Sequence, residues 1–156
     1  MGQTMDKSTE ITDGVSVLAC HFDTNQDHIK SFEYTAVQTT DQYRPGQPYK
    51  VFRTPGVSSA ILTLKLPSNC RVLKLDMTLN HCKTSGNGII DIMINGRIFR
   101  DGYSEAERDN FAGQTFDIPV HLLKDENNTI TIVLNEESKG VYWLSDIKFE
   151  LKHTQT

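Results

Sequence analysis

The sequence predicts an all-β protein, folded as one antiparallel β-sandwich. Several segments alternate apolar and polar residues with the period of two that is typical of a strand with one buried face. The strand candidates follow one another at intervals typical of sandwiches, and no stretch shows the apolar period of a helix over three turns. A chain of 156 residues, 37% hydrophobic and 23% charged, fits one domain with a single core. We expect a flexible segment at 1–13, the sandwich at 14–152 and a tail at 153–156.

The clearest strand candidates lie in the middle of the chain. The stretch 59–66 places four apolar residues on one face: Ala60, Leu62, Leu64 and Leu66. The stretch 71–80 does the same with Leu73, Leu75, Met77 and Leu79. Asn95 and Gly96 predict a tight hairpin after the strand 89–94, because both residues tolerate positive φ. Further strands are expected at 14–22, 31–37, 49–54, 115–120, 129–134 and 141–151.

The polar stretch 100–113 has no sustained apolar period, so we expect a long loop with at most one helical turn. In the last strand, Trp143 falls in phase with Ile147 and Phe149, which favours a place in the core. Tyr142 falls in phase with Asp146 on the opposite face, which favours a place at the surface.

Two segments carry a family resemblance. Their matching residues are Ile92, Ile94, Asn95, Gly96 and Arg97 in a hairpin, then Phe116, Asp117, Ile118, Leu123, Lys124, Asn127, Ile130 and Ile132. In these residues the chain resembles galactose-binding-like jelly rolls, especially the sugar-binding domain of family 2 glycosidases. The terminal strand is similar to the closing strand of carbohydrate-binding modules with this fold. The resemblance implies a jelly roll, a fold that serves sugar binding, protein docking and scaffolding alike.

A sugar site needs an aromatic face to stack on a pyranose and polar side chains to pair with its hydroxyls. Tyr103, close in sequence to Arg100 and Asp101 in the polar stretch, meets this description. We also count four residues near strand ends as candidate ligands: Asn80, His81, Tyr142 and Trp143. For each of them an ordinary structural role in a turn, a loop or the core is the competing interpretation.

A candidate calcium site lies early in the chain. Asp23, Asn25 and Asp27 supply oxygen ligands at alternate positions, and jelly rolls of the resembled class often carry a structural calcium ion in an early loop. His28 and Tyr34 stand where an EF-hand has its glycine and its bidentate glutamate, so the run is not an EF-hand. An acidic, solvated loop is the competing interpretation.

Charge and motifs exclude other classes of function. A formal net charge of −4 offers no overall basic field for nucleic acid or an anionic membrane. No metalloprotease, phosphate-loop or nucleophile-elbow motif is present, so we expect no enzyme. The three cysteines lack zinc spacing, and we expect buried or incidental thiols, with a single Cys70–Cys82 bridge as the alternative. A complete chain of this kind would work in the cytoplasm, because it lacks a secretion signal.

The sequence therefore predicts a non-catalytic carbohydrate-binding module. The alternative is a protein-interaction or assembly domain that docks a partner, or a second copy of itself, through a sandwich face or the 100–113 loop. Glycan binding distinguishes the first function, and the size of the protein in solution distinguishes the second.

Overall fold

The computed structural model describes residues 13–21, 33–36, 50–66, 70–84 and 86–155, and for 13–21, 33–36, 50, 70 and 155 it describes the backbone alone. Within these residues ten strands and one 3-10 turn occur. They are β1 Asp13–His21, β2 Glu33–Ala36, β3 Lys50–Phe52, β4 Ser59–Lys65, β5 Cys70–Lys83, β6 Ile90–Ile94, β7 Arg97–Tyr103, β8 Ala112–Ile118, η1 Val120–Leu122, β9 Asn127–Leu134 and β10 Tyr142–Gln155. This part of the chain has no helix long and apolar enough to cross a bilayer.

The strands form two five-stranded antiparallel sheets. The first has the order β1-β10-β5-β8, with β3 paired to the start of β10, and the second has the order β2-β4-β9-β6-β7. The inner faces of the two sheets share one apolar core, in which Leu75 and Phe149 of the first sheet meet Ile92 and Ile132 of the second. The predicted all-β antiparallel sandwich is confirmed.

The predicted hairpin is also confirmed. Asn95 and Gly96 join β6 to β7 with φ angles of 52° and 80°. Asn95 adds long-range bonds, since its amide donates to the carbonyl of Leu122 and to Asn128 Oδ1, both at 2.9 Å. The hairpin is thereby tied to the start of β9.

Three boundaries differ from those expected. Strand β7 continues to Tyr103, so the loop before β8 covers only 104–111, and the helical turn expected within it is absent from these described residues. Gly102 allows the longer strand, because its φ of 74° bends the chain and its N–H donates to Asp91 Oδ1 at 2.8 Å. Strand β10 pairs as far as Gln155, beyond the boundary expected at 152.

Leu73 is not in the core. The pairing of β5 with β10 shifts between Lys74 and Val72, which leaves Leu73 as an extra residue with 48% of its surface exposed. Val72 packs against the core in its place. The strict alternation expected over 71–80 fails at this irregularity because one extra residue inverts the facing of those beyond it.

The cysteine bridge is excluded. Cys82 is a free thiol. Cys70 and Cys82 lie near opposite ends of the single strand β5, about 40 Å apart at the usual rise of an extended chain.

Candidate functional site

A β-bulge at Ser145 changes which side chains of β10 face solvent. Leu144 pairs with His81 and Asp146 pairs with Asn80, so Ser145 is an extra residue in β10. The buried Ser145 hydroxyl accepts a hydrogen bond from Asn80 Nδ2 at 2.7 Å and donates one to Asp146 Oδ2 at 2.8 Å. Asn80, a candidate ligand in the sequence, here holds the bulge in place.

The bulge reverses the expected roles of two neighbouring aromatic residues. Tyr142 is fully buried in the core, together with Leu144 before the bulge and Ile147 after it. Trp143 pairs with Cys82 and is half-buried on the outer face of the sheet. The expectations of a surface Tyr142 and a core Trp143 are therefore wrong, because the inserted residue shifts the alternation by one.

Trp143, the only tryptophan in the chain, lines a pocket of about 120 Å³ on this outer face. We call it the Trp143 pocket. Its lining residues are Cys82, Lys83, Thr84, Asp109, Phe111 and Trp143. Phe111 is 37% exposed, so the pocket presents two aromatic rings, one of them at the rim, together with the carboxylate of Asp109.

The loop 104–111 is fastened beside the pocket by the end of β5. Lys83 N–H donates to the carbonyl of Glu107, and Asp109 N–H donates to the carbonyl of Lys83, both at 2.9 Å. The ammonium of Lys83 also donates to Asn87 Oδ1 at 2.9 Å and to the carbonyl of Ser104. These bonds hold Asp109 next to Cys82 and bring Phe111, two residues further along the chain, to the rim of the pocket.

Sequence reasoning missed most of these residues. It singled out Tyr103 as the aromatic residue of the polar loop, whereas Phe111 is the one that lines the pocket. The contacts that select Phe111 join residues more than twenty positions apart in the chain, and no local pattern signals them. The one available signal was that a large apolar side chain ended an otherwise polar loop.

Burial keeps the floor of the Trp143 pocket uncharged. The Cys82 side chain is 4% exposed, and desolvation, assisted by the nearby negative charge of Asp109, raises its pKa to about 11. The thiol is therefore neutral at physiological pH and behaves as a small apolar group with a weak donor.

Behind the pocket, four side chains on β5, β7, β8 and β10 form a hydrogen-bonded network. They are His81, Tyr103, Gln114 and Tyr142. Tyr142 O–H donates to His81 Nδ1 at 2.6 Å, and His81 Nε2–H donates to Gln114 Oε1 at 2.5 Å. Tyr103 O–H donates to the same oxygen at 2.6 Å. The Gln114 amide donates to the carbonyl of Glu105 at 2.9 Å. Because Gln114 Oε1 only accepts, this contact requires a proton on His81 Nε2, and with a neutral ring the Tyr142 O–H is the donor to Nδ1.

The protonation states agree with this network. Desolvation lowers the pKa of His81, against a smaller opposite effect of its bond to Gln114. Desolvation raises the pKa of Tyr142 well above its usual value, and that of Tyr103 as well. Tyr103 also packs against His81, with ring centroids 6.1 Å apart, and against Phe116. The structure thus joins the buried His81 and Tyr142 to the half-buried Tyr103 in one hydrogen-bonded network.

Arg100 and Asp101 lie apart from the Trp143 pocket. The guanidinium of Arg100 stacks 4.1 Å from the ring centre of Phe99. Asp101 lines a different cavity of about 600 Å³ near Asp91 and Asn135, on the second sheet. Arg100 also lies 5.5 Å from the ring centre of Phe116, which Tyr103 contacts at a centroid distance of 5.2 Å. The structure therefore brings Tyr103 and Arg100 together at Phe116 but leaves Asp101 on a different cavity.

The candidate calcium ligands Asp23, Asn25 and Asp27 lie outside the described residues. Within 51–66, 71–84 and 86–154, no three His, Cys, Asp or Glu side chains are grouped so as to hold a metal ion.

Comparison with known proteins relates the fold to sugar-binding modules. No protein-family model and no curated protein matches the chain. Among solved structures it is similar to the carbohydrate-binding module CBM36 in complex with calcium and xylotriose, with 9% identity and a TM-score of 0.51, over 75% of this chain and 98% of that one. It is also similar to a CBM35 module from Cellvibrio japonicus, with 11% identity and a TM-score of 0.54, over 86% of this chain and 92% of that one.

At these low identities the similarity concerns the fold. It confirms the galactose-binding-like jelly roll that the sequence motifs predicted.

Proposed function

We propose that the chain is a non-catalytic carbohydrate-binding module that holds its glycan in the Trp143 pocket. The observation that carries the proposal is the bulge at Ser145, which turns the only tryptophan outward beside Phe111 and Asp109. The names of the similar structures, which are modules for carbohydrate binding, support it.

The pocket has the chemistry that a sugar requires. The C–H face of a pyranose stacks on an aromatic ring, and Trp143 and Phe111 supply two such rings. The carboxylate of Asp109 at the rim accepts hydrogen bonds from sugar hydroxyls. A volume of about 120 Å³ is well below the roughly 300–1,000 Å³ of pockets that enclose drug-sized ligands, so we expect part of one sugar unit to enter.

The proposal is tested by titrating the protein with a broad panel of oligosaccharides while following the fluorescence of Trp143. We expect one class of glycan to change the emission saturably. Calorimetric titration of Trp143→Ala and Phe111→Ala should show at least about fivefold weaker binding, since each loses about 1–3 kcal/mol of ring contact. Incubation of the bound glycan with the protein should release no product.

A control variant at an exposed apolar residue outside the pocket shows whether the loss of binding is specific to the pocket. Ile98 lies on β7 with 57% of its surface exposed and is not among the pocket's lining residues. Ile98→Ala should keep the affinity of the unchanged protein. A panel without any binder, or equal weakening by Ile98→Ala and Phe111→Ala, would refute the proposed site.

We further propose a structural calcium ion held by Asp23, Asn25 and Asp27. The residue types suit calcium, and the similar CBM36 structure is a complex with calcium. Calcium should raise the melting temperature of the protein, and Asp23→Ala should abolish that rise. If calcium raised the melting temperature of the unchanged protein and of Asp23→Ala equally, the ion would bind elsewhere.

A further inference from the structure

The interior of the Trp143 pocket is apolar. Two aromatic rings form its sides, and the buried, neutral thiol of Cys82 lies among its lining groups. An apolar substituent that enters gains contact with all three groups. A hydroxyl group that enters gives up its water without gaining a strong partner from them.

Two of the polar lining side chains already have partners inside the protein. The Lys83 ammonium donates to Asn87 Oδ1 and to the carbonyl of Ser104. Thr84 Oγ1 accepts a hydrogen bond from Val141 N–H at 3.1 Å. Asp109 is exposed and remains at the rim, where it can accept a bond from a group outside the pocket. The polar contacts of a ligand are therefore expected at the entrance, and its apolar part inside.

The volume limits the size of that apolar part. About 120 Å³ is well below the roughly 300–1,000 Å³ that encloses a drug-sized ligand, so only a small group enters. An acetamido group has four non-hydrogen atoms, and a C6 methyl group with the adjoining ring carbons has a similar size. A whole pyranose is too large to be enclosed.

We propose that the Trp143 pocket selects sugars that carry a methyl group, which enters between Trp143 and Phe111 toward Cys82. The inference rests on the proposed function and narrows its ligand class. The shared chemistry is the methyl group, and its two sources are an N-acetyl group and the C6 of a 6-deoxy sugar.

Paired titrations test the inference and distinguish the two sources. N-acetylglucosamine and 6-deoxyglucose are each compared with glucose, and the corresponding galactose derivatives with galactose. One buried methyl group is worth about a fourfold gain in affinity. We expect the N-acetyl or the 6-deoxy sugar to bind at least about four times more tightly than its hydroxylated parent. If the parents bind as tightly as both derivatives, the inference is wrong while the proposed function stands. If no sugar binds, the proposed function fails and the inference fails with it.

Two substitutions of one residue locate the methyl group. Cys82→Ser replaces the thiol by a smaller and more polar hydroxyl, so the ratio of the affinities for the methyl-bearing sugar and its parent should fall toward one. Cys82→Ala keeps the surface apolar and should retain a clear preference. An unchanged preference in Cys82→Ser would show that the methyl group does not reach this residue and would overturn the assignment. Should that variant fail to fold, the titrations of the unchanged protein still decide the ligand class.

Discussion

His81 illustrates how single residues hold the strands that carry the pocket. Its neutral ring accepts a hydrogen bond from Tyr142 and donates one to Gln114, so it joins the two central strands of the first sheet to the edge strand β8. A second proton on the ring would occupy Nδ1, which would force the Tyr142 hydroxyl to change from donor to acceptor and would place a positive charge in the apolar interior. The neutral form of His81 is therefore a condition of the packed interior.

This condition predicts a stability that depends on pH. Desolvation lowers the pKa of His81 from 6.5, so below pH 6.5 the unfolded chain binds a proton that the folded protein resists. Above pH 6.5 the free energy of unfolding should not depend on His81. As the pH decreases from 6.5 to the lowered pKa of the folded protein, the free energy of unfolding should decrease by up to about 1.4 kcal/mol per pH unit. Urea unfolding at pH 7.5 and pH 5.5 measures the loss.

Two glutamine variants provide the comparison. His81→Gln removes the titrating ring, so its free energy of unfolding should change less between the two pH values than that of the unchanged protein. His121 is exposed, and His121→Gln should retain the full change. Equal pH dependence in both variants would contradict the role given to His81.

At the scale of elements, irregular pairing between β5 and β10 decides what the first sheet presents to solvent. The period-of-two pattern correctly predicts Leu75, Met77 and Leu79 as core residues, because that stretch of the ladder is regular. It fails for Leu73 and Trp143, which lie beside the register shifts. A bulge depends on pairing between strands more than sixty residues apart, so one strand read alone does not reveal it.

The bulge predicts a specific effect of Asn80→Ala. The Asn80 amide donates to Ser145 Oγ at 2.7 Å and to Asp146 Oδ2 at 3.1 Å, and both bonds are lost in the variant. The free energy of unfolding should fall by about 1–3 kcal/mol, because the buried Ser145 hydroxyl loses a donor. The emission of Trp143, two residues from the bulge, should shift as well.

Thr78→Val is the matched control on the same face of β5. The Thr78 hydroxyl shares a hydrogen bond of 2.8 Å with Thr115 in an exposed setting, so the variant should change stability by no more than about 0.5 kcal/mol and leave the emission unchanged. The same emission shift in both variants would argue against the bulge as the support of Trp143.

At the scale of the whole molecule, the fold was more predictable than the site. Alternating strands and the Asn95-Gly96 turn are local signals, and they predicted the sandwich. The Trp143 pocket arises where β10, the end of β5 and the loop 104–111 meet, through backbone bonds such as that from Lys83 to Glu107. Three of the candidate sugar ligands lie in one hydrogen-bonded network, in which the half-buried Tyr103 is linked to the buried His81 and Tyr142. Their separate positions in the sequence do not disclose this network.

The central claim is that the glycan binds where the bulge turns the half-buried Trp143 to the outer face of the sheet. The most direct measurement is a two-dimensional NMR titration with the glycan that the panel identifies, following the backbone amides and the single indole N–H. The account predicts that the largest shift changes fall on Trp143, on 82–84 and on 109–111. Changes concentrated around Asp91, Asp101 and Asn135, with the indole signal unmoved, would contradict it.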